Sequence, residues 1–254
     1  MSTLFAHSAL ALAIVLPLLW LTSLARKDAS IADPFWGVGF LLVALVSVGA
    51  PPWTPRALLM LACVALWSLR LSWHLLRRNL GHGEDPRYQA MRKTWGRHFW
   101  WVSFFTVFVL QFVLLWIISL PLQIAALSLL PLGPLDLAGA ALFAVGLTFE
   151  TLADAQLTAF RRDPASQGQV LDTGVWRYTR HPNYFGEAVL WWGLALFGVS
   201  AGAPWTLVSA LVITLLLLFV SGVPMLEKGM AGRRPGYAEY VRRTSAFVPW
   251  RRAA

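Results

Sequence analysis

Seven apolar stretches, at about 4–25, 34–50, 55–77, 98–121, 131–153, 184–199 and 205–223, set what this chain can become. Each comes near the ~20 residues an α-helix needs to cross a hydrocarbon core of ~30 Å. Backbone N–H and C=O groups find no water at that depth, so the crossing segments must satisfy their own hydrogen bonds, and helices do so. Only 13% of the 254 residues are charged and 57% are hydrophobic, whereas a soluble domain carries about 25% charge. The expected fold is an all-α integral membrane protein of about seven transmembrane helices. We expect one membrane domain, with spans over 4–121 on a substrate side and residues 131–254 on a cofactor side.

The loops alternate in charge. Arg26 and Lys27 follow the first stretch, and Arg77, Arg78, Arg87, Arg92, Lys93 and Arg97 surround the loop after the third. Arg161, Arg162, Arg177 and Arg180 follow the fifth, and the tail carries Lys228, Arg233, Arg234, Arg242, Arg243, Arg251 and Arg252. Of the 21 cations, only Arg56 lies on the other side, and Arg70 lies inside the third stretch. Lysine and arginine accumulate on the cytoplasmic side of membrane proteins, so this pattern predicts an external N-terminus, an internal C-terminus and a cofactor face toward the cytoplasm. The net charge of +9 is then matched to anionic lipid headgroups and an anionic cofactor rather than nucleic acid. Fourteen tryptophans suit interfacial belts. The first stretch has no preceding cation, unlike a cleaved signal, and reads as a retained span.

A charged group at membrane depth is costly and marks function. Glu150 and Asp154 are four apart and share one helix face, where two acceptors suit ribose hydroxyls or an amide. Pro182 favours a helix start, whose free N–H groups attract anions beside Arg177, Tyr178, Arg180 and His181. Asn183 and Glu187 follow on one face. Arg70 and His74 are four apart in the third stretch, and the DPRY segment (85–88, with Tyr88) reads as a structured turn. Arg70 is expected to pair with Asp33 or Asp154. Asp28 reads as a solvated loop charge, and Asp33, before Pro34, as a cap of the second helix or as a catalytic acid. Tyr237 and Tyr240 interleave with tail arginines, as in a headgroup-level helix or a cover over a nucleotide. The lone Cys63 forms no disulfide or metal cluster, and no GxGxxG or HExxH string is present.

Asp154, Arg161, the run DTGVWRYTRHPNYFGE (172–187) and the ending YAEYVRRTSAFVPW (237–250) resemble the membrane steroid 5α-reductase family, in particular a bacterial branch sharing its C-terminal domain. The resemblance is best over about 145–250. It implies that the Asn-x-x-Gly-Glu element, here Asn183 to Glu187, holds the nicotinamide end of NADPH, with Asp154 and Arg161 contacting the cofactor. The Gln-Glu pair of the steroid enzymes has no counterpart here, and Asp33 is the nearest acid. His74 or Trp67 occupies the region of their tyrosine. The implied activity is NADPH-dependent reduction of an activated C=C bond in a steroid- or isoprenoid-like substrate that enters from the bilayer. The implied location is the bacterial inner membrane. Asp33, His74 and Tyr88 are the candidates for the acid that assists hydride addition. Arg-His-Pro-x-Tyr also occurs in isoprenylcysteine carboxyl methyltransferases, which bind S-adenosylmethionine; Glu227-Lys228 stands where those usually carry Glu-Glu. A non-catalytic lipid-binding protein is the third reading.

Cysteine-accessibility labelling is expected to place positions near Arg92 and the C-terminus in the cytoplasm, and positions near Pro52 and Leu130 outside. An external C-terminus contradicts the charge argument.

Overall fold

A computed structural model describes residues 2–49, 52–227 and 235–252. No strand occurs among them. The principal helices are α1 (Ser2–Arg26), α2 (Ala32–Val48), α3 (Pro55–Asn79), α4 (Pro86–Trp95), α5 (Phe99–Ser103), α6 (Leu110–Ile118) and α7 (Leu120–Leu127). They continue with α8 (Pro134–Arg162), α9 (Pro182–Ser200), α10 (Leu207–Leu215), α11 (Val223–Glu227) and α12 (Tyr237–Arg243). Short π-helical turns, Phe104–Val109 and Leu216–Val220, join α5 to α6 and lead out of α10. Six segments are long and apolar enough to cross a membrane: Thr3–Arg26, Ala29–Val48, Pro55–Asn79, Pro86–Ile118, Pro134–Arg162 and Pro204–Glu227. The chain is therefore an integral membrane protein by the length and composition of its helices. Helix α9, which coincides with the sixth apolar stretch, falls outside that set because its first turns carry Asn183 and Glu187.

The chain divides into two compact units, 1–133 with 197–204, and 134–196 with 205–254. In the first, α2 is the central element and packs against α1, α3, α6 and α7. Phe40 and Trp67 are fully buried and lie 5.7 Å apart, ring to ring. Arg56, at the start of α3, is also buried; its guanidinium donates to Ser128 Oγ at 2.7 Å, to the carbonyls of Leu130 and Pro131, and to Ser200 Oγ at 3.0 Å. That arrangement gives an otherwise costly buried cation several hydrogen-bond acceptors. Residues 198–202 have the spacing GxSxG, but they end α9 rather than form a strand-to-helix elbow, and Ser200 serves Arg56.

Helix α4 stops at Gly96, whose φ of +49° turns the chain before α5. None of the α4 residues is buried. The Arg92 guanidinium lies 4.3 Å over the Phe99 ring and pins the elbow. The polar α4 and the apolar run from Phe99 are thus separate segments within Pro86–Ile118.

In the second unit, α8 and α9 meet backbone to backbone. A Cβ on Gly146 would lie 2.4 Å from Leu190 N and 2.5 Å from Gly186 O. One on Gly186 would lie 2.5 Å from Glu150 N, and one on Gly193 2.5 Å from Gly139 O. Small residues at such spacing let membrane helices approach closely. Gly186→Ala is expected to lower unfolding stability in detergent by about 1–3 kcal/mol, because the clash is with main chain that cannot move aside. Leu142→Ala, on the exposed side of α8, is expected to change it far less. Equal effects of the two substitutions contradict the close approach.

Candidate functional site

The glycine contact sets the register of two polar faces. Because Gly186 lies against Glu150, the turn bearing Glu150 and Asp154 meets the first turns of α9. Glu150 is 2% exposed and Asp154 7%, so both carboxylates lie inside the second unit. Asn183 Nδ2 donates to Asp154 Oδ1 at 3.4 Å, which leaves Asn183 Oδ1 buried without a partner. Glu187, one turn further along α9, is half-buried.

The segment before α9 is tied to the tail. Trp176 Nε1 donates to the Ala153 carbonyl at 3.1 Å, and Val175 N to Gln156 Oε1, which seats this turn on α8. Thr179 Oγ1 donates to the Phe247 carbonyl and Arg180 N to the Ser245 carbonyl, while Trp250 N donates to the Tyr178 carbonyl. Tyr240 Oη donates to the Trp176 carbonyl at 2.5 Å. Tyr237 and Tyr240 are buried, with rings 6.1 Å apart, and burial pushes both phenols up, keeping them as O–H donors.

Glu227, at the end of α11, gathers the basic loop. Arg180 Nε donates to Glu227 Oε1 at 2.8 Å, and Nη1 donates to the carbonyls of Val241 and Thr244 at the end of α12. Arg180 thereby caps a helix C-terminus and pairs with an acid. Its donors are committed to the protein rather than to a phosphate. His181 Nε2 lies 3.0 Å from the same Glu227 oxygen, and the ring stacks on Tyr184 at 5.6 Å. His181 is 3% exposed and its Nδ1 has no partner. Burial pulls the imidazole below its ordinary range, against the opposing pull of Glu227.

The other sequence candidates are more scattered. Arg161 is exposed in the last turn of α8, and Arg177 and Tyr178 are exposed on the loop surface. His74 is half-buried on α3, one turn beyond Arg70. In the first unit, Asp33 and Tyr88 are brought together. Tyr88 Oη donates to Asp33 Oδ1 at 2.8 Å and Arg87 Nη2 donates to Asp33 Oδ2. Asp33 does not cap α2: it lies inside the first turn, where Ile31 holds the cap position without a side-chain bond. The chain needs no cap from Asp33 because a 3-10 turn, Ala29–Ile31, leads straight into the helix. Asp28 caps that turn, accepting from Ser30 N at 2.9 Å, and so is structural rather than merely solvated. Asp85 caps α4 through Arg87 N; burial would raise its carboxyl, but the Arg87 hydrogen bonds and the charges of Arg87 and Arg78 hold it below the usual range. Ser30 Oγ accepts from Asp85 N, and Glu84 accepts from Ala29 N and Arg92, so the two loops are fastened together.

Glu227, Trp176, Arg87 and Glu84 were not singled out from sequence as site residues. No cluster of His, Cys, Asp and Glu suited to a metal occurs among the described residues.

The burial of His181 has a consequence for pH. Its unfolded pKa is near 6.5 and its folded value is lower, so its neutral form stabilises the fold fully above about pH 6.5. As pH falls below that, the unfolded chain takes a proton that the buried ring resists, and stability is lost. The unfolding midpoint is expected to fall between pH 7.5 and 5.5, and less steeply in His181→Gln; parallel profiles contradict the burial argument.

No solved structure matches the chain. An uncharacterized protein of Schizosaccharomyces pombe is 27% identical over 265 residues, covering 91% of this chain and 75% of that protein. Residues 19–244 match the family described as "Protein of unknown function (DUF1295)", and with most of its length inside that match the chain belongs to the DUF1295 family.

Proposed function

We propose that the chain is an NADPH-dependent membrane reductase acting on an activated C=C bond of an apolar substrate drawn from the bilayer. The observation that carries this reading is the acid–amide face: buried Glu150 and Asp154 against the half-buried Asn183, beside the glycine contact of α8 and α9, with Glu187 one turn on. A nicotinamide riboside end, with its hydroxyl and amide donors, fits that set of acceptors. Carboxylates accept from ribose hydroxyls, and the unpartnered Asn183 Oδ1 accepts one carboxamide N–H.

Bound NADPH would supply the hydride. The residues supply placement and field. Fixed carboxylates at Glu150, Asp154 and Glu187 favour positive charge growing nearby, which is the sense of charge that hydride loss demands. Exposed Arg161, Arg162 and Arg177 suit the phosphates, while Arg180 holds the tail in place.

We further propose seven spans, with α9 as the sixth and the cofactor side cytoplasmic. Glu227 ends a segment apolar enough to cross, yet it bonds His181 at the foot of α9. An outward and a return leg between them accounts for that contact. Helix α9, 19 residues long and about 28 Å in rise, makes the outward leg. With α9 counted as a span, the basic segments of the sequence alternate with the nearly uncharged ones as the charge pattern predicts.

Detergent-purified protein is expected to bind NADPH and not S-adenosylmethionine. Asn183→Ala or Glu187→Gln is expected to weaken NADPH binding roughly 10- to 150-fold while leaving the protein folded. Binding of S-adenosylmethionine without NADPH would make the chain a methyltransferase instead.

A further inference from the structure

Two buried acceptor positions stand two residues apart at the start of α9 with nothing to accept: His181 Nδ1 and Asn183 Oδ1. Neither can correct itself by turning over. Asn183 must keep its amide nitrogen toward Asp154, and His181 must keep a nitrogen toward Glu227, because a carboxylate only accepts. Glu227 thus requires the proton on His181 Nε2. The neutral ring, flattened against Tyr184 and 3% exposed, then bears a lone pair on Nδ1. Glu227 is itself held by Arg180, whose other donors grip the end of α12, so the orientation of the imidazole is set by a chain of bonds from the tail. A buried acceptor left empty is costly, and a polar network that is incomplete in this way points to a missing donor.

We propose that Glu227 is a positioning residue that fixes His181 in the Nε2–H form, so that Nδ1 accepts an N–H from the carboxamide of the nicotinamide. This rests on the reductase reading above. It assigns Glu227 a role at one remove from the cofactor and gives His181 a part in selecting a carboxamide over an isosteric ketone.

The test compares NADPH with its 3-acetylpyridine counterpart, in which a methyl group replaces the carboxamide NH2, on the full-length protein in nanodiscs. The wild type is expected to bind the analogue at least about tenfold more weakly, since an acceptor is left buried and unpaired. Glu227→Ala removes the acceptor and leaves Nε2 beside the Arg180 donor, which moves the imidazole proton to Nδ1. Its preference for NADPH over the analogue is expected to vanish or reverse. Should that variant not fold, 15N-histidine spectra of the wild type, with His181 assigned by its loss in His181→Gln, give the same answer. They are expected to show a protonated Nε2 and an Nδ1 signal that shifts on adding NADPH. Equal affinity for NADPH and the analogue, an unchanged preference in Glu227→Ala, or a protonated Nδ1 overturns the inference alone. Absence of NADPH binding overturns the reductase reading together with the inference built on it.

Discussion

The close approach of α8 and α9 is the constraint on which the site depends. Gly139, Gly146, Gly186 and Gly193 let main chain touch main chain, and any Cβ at Gly146, Gly186 or Gly193 would meet a backbone atom within 2.6 Å. Without a hydrophobic drive between helices in lipid, such contact supplies the dispersion that holds the pair. The same contact fixes which polar groups face each other. Glu150 is both the backbone neighbour of Gly186 and one of the buried acids, so packing and site share one residue. Buried carboxylates are tolerated only where fixed donors meet them. The rigid pair keeps Asp154 within reach of Asn183.

A second layer of order comes from ionic ties outside the helices. Arg180 joins the loop before α9 to both Glu227 and the end of α12. In the first unit, Asp33, Arg87 and Tyr88 join the start of α2 to the start of α4, with Glu84 and Arg92 alongside. Each tie holds short loops together so that long helices end where polar groups are needed. Such pairs add little stability where exposed. Their value here is orientation: one Glu227 oxygen meets both the Arg180 guanidinium and the His181 ring.

Much of this was legible in the sequence, for physical reasons. Apolar runs near 20 residues leave few alternatives to spanning helices, and α1, α3 and α8 lie where hydropathy places them. The four-residue spacing of Glu150 with Asp154 and of Asn183 with Glu187 gave the polar faces directly. What escaped was either local turn geometry or tertiary pairing. Asp33 looked like a cap because Pro34 follows it, but the turn at Ala29–Ile31 starts the helix earlier. The elbow at Gly96 hides inside a continuous run. Glu227 meets partners 46 and 47 residues away, and no local pattern announces such a pairing. The GxSxG spacing at 198–202 shows the converse, a short string without the strand-to-helix context that would give it meaning.

The most direct measure of the central claim is transfer of the cofactor's hydrogen into lipid. Membranes containing the protein are incubated with NADPH deuterated at the nicotinamide C4 position, and the extracted lipids are analysed by mass spectrometry. The account predicts one deuterium added to an apolar product whose C=C bond is lost, dependent on the wild-type Asn183. Lipids free of deuterium, in membranes whose protein is folded, would contradict it.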